Sequence, residues 1–183
     1  MKIDKRIKKV LYTQKQIETK IKELADWVNN TYQNTTDLVI VGLLKGSVPF
    51  LAQLIKDVQV DHILDFMVLS SYYGETDSSG SVKVVMDLAY DIKNKDVLIV
   101  EDIVDSGITI SKVFDLLQHK HPKSLKVLTL LDKVEGRKNQ FHPDKSGFIT
   151  PNEFLVGFGL DVKEKLRNIP YIGIFDKKYL DEL

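Results

Sequence analysis

Four apolar residues, Val97 to Val100, are followed at once by two adjacent carboxylates, Glu101 and Asp102. Such an apolar run predicts a strand buried on both faces, and ligands bind at the carboxyl ends of strands in open α/β sheets. Two buried carboxylates are costly unless a cation or hydroxyl donors compensate them. The pair could therefore hold polyol hydroxyls or a hydrated divalent ion. The alternative is that Glu101 is solvated and that Asp102 or Asp105 caps the next helix.

The residues that follow favour a phosphate site. Asp105-Ser106-Gly107-Ile108-Thr109 combines two hydroxyls with a flexible glycine directly before a predicted helix. Backbone N–H groups of such a turn and the helix N-terminus form an anion site suited to a phosphate monoester. A sugar phosphate, bound through its hydroxyls, a metal ion and its phosphate, would fit the single segment 97–109.

Composition limits the class of protein. The chain has 183 residues, so we expect one domain, 1–183. Lys plus Arg is 26 and Asp plus Glu is 26, a balance that disfavours a dedicated nucleic-acid binder. Cysteine is absent, which excludes disulfides, iron–sulfur clusters and thiolate nucleophiles. Neither a secretory signal nor an apolar run of about 20 residues is visible, so we expect a soluble, cytoplasmic protein without membrane or nucleic-acid partners.

Strand and helix periods alternate along the chain. Thr13 and Gln16 have capping-box form, and apolar residues follow at helical spacing from Ile17 to Val28. Strands are predicted at 38–41, 62–70, 97–100, 125–131, 154–158 and 171–174, and further helices at 47–56 and 109–119. Residues 71–81 and 136–151 are polar and predict loops. This alternation predicts an α/β fold with an open, mainly parallel sheet and helices on both faces.

Segment 97–109 resembles the phosphoribosyl-pyrophosphate signature of the type I phosphoribosyltransferases. Four further segments resemble one subgroup, the hypoxanthine-guanine phosphoribosyltransferases, and the resemblance spans about residues 10 to 175. It implies a small hood built from N- and C-terminal segments, about 1–15 and 135–183, and a mobile lid loop over about 71–83. In that lid, Ser71 and Tyr72 would help to exclude water from the reacting centre.

Two of these segments resemble the parts that hold pyrophosphate and the base. Gly42 to Ser47 resembles the pyrophosphate loop, in which the peptide before the lysine can be cis. The resemblance implies that Leu44, Lys45 and Gly46 lie at the pyrophosphate. Leu130 to Lys133 resembles the segment whose lysine donates to the 6-oxo oxygen of the purine, so Lys133 would select hypoxanthine or guanine over adenine.

The remaining segment, Phe154 to Asp161, resembles the one that completes the base site. It implies that Phe154 stacks on the purine, that the Leu155 backbone reads its edge, and that Asp161 assists base recognition and a second metal ion. Arg167 would meet pyrophosphate. Relatives often carry a lysine before the stacking aromatic, whereas this chain has Glu153, which bears on base affinity.

The resemblance as a whole implies purine salvage. The chain would transfer the 5-phosphoribosyl group of phosphoribosyl pyrophosphate (PRPP) to hypoxanthine or guanine, giving IMP or GMP and pyrophosphate. Glu101 and Asp102 would bind the metal ion and the ribose, and the turn from Asp105 to Thr109 would bind the 5-phosphate. Asp105 would also contact the purine N7 and act as general base or acid. Mg²⁺ is the implied cofactor, and a homodimer or homotetramer the implied assembly.

Alternatives of other classes remain open at this point. A phosphoryl-receiver domain also has an acid pair after an apolar strand, but that pair lies near its N-terminus, and here 100 residues precede Glu101. A non-catalytic, nucleotide-sensing regulator of the same fold is disfavoured by the neutral net charge. Xanthine as an additional substrate stays open, whereas adenine or orotate is disfavoured by the pattern from Lys133 to Asp161. The four histidines have no metal-ligand spacing.

Overall fold

The computed structural model describes residues 3–71 and 82–182. The strands in this part of the chain are β1 Ile7–Tyr12, β2 Leu38–Leu44, β3 His62–Ser71, β4 Val82–Met86, β5 Asp96–Val104, β6 Ser124–Asp132, β7 Lys145–Ile149, β8 Leu155–Val156 and β9 Ile172–Phe175. The helices are α1 Gln14–Tyr32, α2 Val48–Leu54 and α3 Ile108–Gln118, with short 3₁₀ turns at Val134–Gly136 and Lys177–Glu182. None of the helices in these ranges is long and apolar enough to cross a membrane.

The central sheet has the strand order β4-β3-β2-β5-β6-β7. All neighbours in it pair in parallel except β3 and β4, which are antiparallel. β2, β5 and β6 are neighbours that run in the same direction, so their carboxyl ends lie side by side at one end of the sheet. The predicted mainly parallel α/β sheet is confirmed.

Alternate strand residues face opposite layers of helices. Leu38 and Leu98 pack in one apolar cluster with residues of α1 and α2, whereas their neighbours Val39 and Val97 pack in another with residues of α3. Side chains of successive strand residues point to opposite faces, so strands this apolar must be covered on both sides. Helices on both faces are thus confirmed.

The start of α1 follows from its sequence. The Thr13 hydroxyl accepts the Gln16 N–H at 3.4 Å, and the Gln16 side chain accepts the Thr13 N–H at 2.9 Å. These two bonds satisfy backbone donors that the first turn of a helix leaves unpaired. The predicted apolar face is buried, from Ile17 to Val28.

A second, antiparallel sheet has the order β1-β9-β8. Its strands come from the N- and C-terminal segments, as expected of the hood. Residues 145–149 do not belong to it, although the expected hood ran over 135–183: they form β7, at the edge of the central sheet. Both ends of the expected lid, 71–83, can be placed, because Ser71 ends β3 and Val82 begins β4, whereas Tyr72 lies outside the described residues.

Three strands were absent from the sequence prediction: β1, β4 and β7. Each lies at an edge of its sheet or carries polar residues, so none has the continuous apolar run that reveals a central strand. In β7, Gly147 lets the backbone approach β6, because a Cβ there would come 2.7 Å from the Leu130 carbonyl. Phe148 stacks on Tyr12 of β1 with ring centroids 4.1 Å apart. Tertiary packing rather than local pattern therefore defines this strand.

Candidate active site

The acid pair lies near the carboxyl end of β5. Asp102 is 8% exposed, and its carboxylate accepts the Ile103 N–H at 2.8 Å. Burial raises the pKa of Asp102 to about 6, against the lowering effects of that bond and of the Arg167 charge. Burial, and then the charge of Asp102, raise the pKa of Glu101 well above its usual value. Within the described residues, Glu101 Oε2 is a buried oxygen with no hydrogen-bond partner. When Glu101 and Asp102 are ionised, the surrounding residues therefore do not fully compensate their negative charge.

The turn after β5 carries the predicted phosphate residues, Asp105 to Thr109. Gly107 has φ +79°, a left-handed conformation that glycine adopts without strain, and it directly precedes α3. The Ile108 N–H donates to the Ser106 hydroxyl at 3.3 Å. Asp105 and Thr109 are exposed. The turn therefore presents an open surface at the start of an 11-residue helix.

Lys133 follows β6 and donates to Asp105, which follows the neighbouring β5. The Lys133 Nζ to Asp105 Oδ2 distance is 2.7 Å. The lysine side chain is 8% exposed and the aspartate side chain 51% exposed, so the cation is buried and the carboxylate faces solvent. The two residues predicted for the base and for the proton transfer are thus in direct contact, although 28 positions separate them.

The loop after β2 contains a cis peptide between Leu44 and Lys45, as the resemblance implied. A side chain at Gly46 would overlap the Asp102 carboxylate, and one at Gly159 would overlap the Gly46 carbonyl. Glycine at both positions allows the segment after β8, this loop and the acid pair to stack closely.

Glu164 joins the two cations predicted for pyrophosphate. Its Oε2 lies 2.9 Å from Lys45 Nζ and 3.2 Å from Arg167, and these cations lower its pKa. Arg167 also lies 3.0 Å from Asp161 Oδ1. Sequence reasoning missed Glu164, because the contact with Lys45 spans 119 positions.

The predicted base residues Phe154 and Leu155 lie at the second sheet. Phe154 is 42% exposed, and its ring meets Phe175 edge to face with centroids 5.8 Å apart. Leu155 is buried in β8 and pairs with Ile174. The Phe154 ring therefore packs against Phe175 while much of its surface stays accessible.

The comparisons with known proteins point to one family. Residues 9–163 match the family model described as "Phosphoribosyl transferase domain". The hypoxanthine-guanine phosphoribosyltransferase of Lactococcus lactis subsp. lactis (strain IL1403) is 49% identical over 172 residues, covering 94% of this chain and 93% of its own. The chain belongs to the hypoxanthine-guanine phosphoribosyltransferase family. The Bacillus subtilis (strain 168) member is 46% identical over 168 residues, covering 92% and 93%.

Solved structures of this family have the same fold. A hypoxanthine phosphoribosyltransferase from Staphylococcus aureus superposes with a TM-score of 0.90 at 43% identity, covering 94% of each chain. The Trypanosoma cruzi enzyme in complex with the product IMP superposes with a TM-score of 0.91 at 33% identity, covering 97% of this chain and 99% of its own. The predicted family, fold class and enzyme class, a pentosyl-transferring glycosyltransferase, are confirmed. The findings do not support the non-catalytic regulator.

The acid pair fits a divalent cation, since the orphaned Glu101 oxygen and the raised pKa values both indicate unmet negative charge. Over residues 3–71 and 82–182, no group of three or more His, Cys, Asp or Glu side chains is placed to hold a metal ion. Mg²⁺ commonly takes only one or two carboxylates and completes its octahedron with water and substrate phosphates. A site of two adjacent acids is therefore of the kind that Mg²⁺ uses.

Proposed function

We propose that this phosphoribosyltransferase moves the 5-phosphoribosyl group of PRPP to hypoxanthine or guanine, giving IMP or GMP and pyrophosphate, in purine salvage. The contact of buried Lys133 with exposed Asp105 carries the proposal. O6 and N7 lie on one edge of a 6-oxopurine, so a cation and a carboxylate in contact match both atoms at once. Adenine would turn a donor amino group towards the ammonium, and donor would face donor.

Asp105 acts as general base or acid at N7: its carboxylate accepts the N7 proton as N9 bonds to the ribose C1 and pyrophosphate leaves, and it returns the proton in the reverse direction. A positioned general base or acid contributes about 10²–10⁴-fold. Lys133 donates to O6 and orients the base. The Phe154 ring stacks on the purine and the Leu155 backbone reads its edge, while Asp161 assists base recognition.

Asp105, Ser106, Gly107, Ile108 and Thr109 bind the 5-phosphate. The N-terminus of α3 and the left-handed Gly107 support this assignment, because both turn backbone N–H groups outward. Fixing the phosphate orients the sugar, which can contribute as much as the proton transfer.

Leu44, Lys45, Gly46 and Arg167 bind the pyrophosphate. The contacts of Glu164 with both cations support this role, since a carboxylate already occupies the place of an anion. Pyrophosphate would displace it.

Glu101 and Asp102 lie on the ribose hydroxyl side and stabilise the positive charge that develops on the sugar as the C1–O bond breaks. Mg²⁺ would be held by Glu101 and Asp102, with a second ion near Asp161, and would neutralise the leaving pyrophosphate. Asp161 is less available to a metal ion than Glu101 and Asp102 are, because it already contacts Arg167.

The remaining expectations stay proposals that rest on the family. They are one domain over 1–183, a lid containing Ser71 and Tyr72, a homodimer or homotetramer, and a cytoplasmic location. Size-exclusion chromatography with light scattering would distinguish the dimer from the tetramer, and cell fractionation would test the location.

The function is tested by product formation from PRPP and Mg²⁺ with hypoxanthine, guanine, xanthine and adenine in parallel. We expect turnover of hypoxanthine or guanine and none of adenine. Adenine turnover would remove the selective role of Lys133. A folded sample that binds nucleotide but turns over no base would refute the transferase function.

A further inference from the structure

Arg137 is a buried arginine that neither the sequence motifs nor the proposed chemistry uses. It follows the 3₁₀ turn Val134–Gly136 beyond β6, and its side chain is only 6% exposed. It forms an ion pair with Asp132, the last residue of β6, whose side chain is 7% exposed. Burying both ions costs free energy that the pair by itself need not recover, so the guanidinium calls for a further explanation.

The other contacts of Arg137 are with backbone carbonyls. Its Nε donates to the Asp105 carbonyl at 3.1 Å, and its terminal nitrogens donate to the carbonyls of Val104, at 3.5 Å, and of Phe141. Arginine is the side chain suited to this, because its planar fork presents five donors in fixed directions.

Neighbours of Arg137 continue the pattern along the turn after β5. The Lys133 N–H donates to the Val104 carbonyl at 2.9 Å and the Lys138 N–H to the Ser106 carbonyl at 2.9 Å. The Asn139 side chain donates to the Gly107 carbonyl at 3.0 Å. Carbonyls of four successive residues, 104 to 107, thus accept from residues 133–139.

This pattern decides which way the turn faces. In a planar trans peptide the carbonyl and the following N–H point in opposite directions. Carbonyls of residues 105, 106 and 107 that turn towards residues 133–139 therefore send the N–H groups of 106, 107 and 108 to the opposite side. That side is where an anion would be bound.

We propose that Arg137 is a positioning residue for the 5-phosphate turn. Asp132 orients its guanidinium, the guanidinium holds the Asp105 carbonyl, and Asn139 holds the Gly107 carbonyl, so that the N–H groups are aligned before substrate arrives. The proposal rests on the assignment of residues 105–109 to the 5-phosphate. Arg137 itself touches neither phosphate nor base.

The test compares Arg137→Met and Arg137→Lys with wild type in steady-state kinetics and thermal unfolding. Lysine can keep the ion pair with Asp132 but cannot reproduce the fork. We therefore expect Arg137→Lys to unfold close to wild type while its KM for PRPP rises about tenfold, the effect of losing one charge-assisted bond. kcat and the KM for hypoxanthine should change less than about threefold, since the turn binds ground and transition states alike.

Controls separate this role from a general loss of structure. Lys126→Met removes a more exposed ion pair, with Asp144, from the other half of β6 and should leave the KM for PRPP unchanged. Asn139→Ala should raise that KM even if Arg137→Met fails to fold, because it removes one bond to the turn and no charge. Thr109→Val tests the phosphate assignment itself.

The outcomes are distinguishable. A KM for PRPP that stays at the wild-type value in both Arg137→Lys and Asn139→Ala, while Thr109→Val raises it, would overturn the positioning role and leave the phosphate site standing. An unchanged KM in Thr109→Val as well would instead refute the phosphate assignment on which the proposal depends.

Discussion

Replacing Asp105 by asparagine is the sharpest perturbation that the site offers. The change keeps the shape of the side chain but removes its charge and its capacity to accept a proton. If Asp105 exchanges the N7 proton, kcat should fall about 10²–10⁴-fold, or about 3–5 kcal/mol of transition-state stabilisation. KM for PRPP should change little, because the backbone of the phosphate turn is retained.

The fold should survive this substitution. Asp105 is half exposed, so its removal leaves no cavity, and the amide oxygen still accepts a bond from Lys133. The buried ammonium loses its counter-charge, which should lower the unfolding temperature modestly. A double variant with Lys133→Met should recover that loss but not the activity.

The assay is steady-state formation of IMP, with unfolding followed by circular dichroism. Asp115→Asn, on the exposed side of α3, makes the same change of charge and is the matched control. A kcat of Asp105→Asn within threefold of the control would refute the proton-transfer role.

Three further outcomes are expected. Lys133→Met should raise the KM for hypoxanthine and lower the ratio of kcat/KM for hypoxanthine to kcat/KM for adenine. Steady-state kinetics with both bases would measure this ratio, and an unchanged ratio would contradict selection by the ammonium. Glu164→Gln should tighten pyrophosphate binding several-fold in calorimetry, since the competing charge is gone, whereas Glu182→Gln should not. In the folded protein the pKa of Asp102 is about 6, above the usual 3.8. Ionisation of this carboxyl group therefore lowers the free energy of unfolding as pH rises from about 4 to about 6. Asp102→Asn should therefore stabilise the free protein at pH 7 by up to about 3 kcal/mol and give no gain below pH 4, as urea unfolding would measure; an equal gain at both pH values would exclude the ionisation as its cause.

Local sequence predicted most of the central sheet. β2 and β5 have continuous apolar runs, β6 is mostly apolar between Leu125 and Leu131, and α1 has both a capping box and an apolar face, so their positions required no knowledge of partners. The edge strands β1, β4 and β7 lack such runs, because one side or one edge of each is not buried in the core. Whether these segments form strands depends on the strand beside which the folded chain places each of them.

The candidate site divides in the same way. The acid pair and the phosphate turn are continuous in sequence, so strand, carboxylates and glycine turn could be recognised together in residues 97–109. The residues of this segment thus indicated a sugar-phosphate site, and their resemblance to a known family implied the reaction class. These features are set by covalent order, and burial of one strand is enough to present them at its carboxyl end.

The pairing of distant charges depends on the tertiary structure. The contact of Lys133 with Asp105 requires that β5 and β6 be neighbours, and the contact of Lys45 with Glu164 crosses 119 positions. Arg137 has no motif at all, and its role emerges because the chain after β6 lies against the carbonyls of residues 104–107. A charged side chain meets a distant partner only when the fold brings the two together, and that information is absent from local spacing.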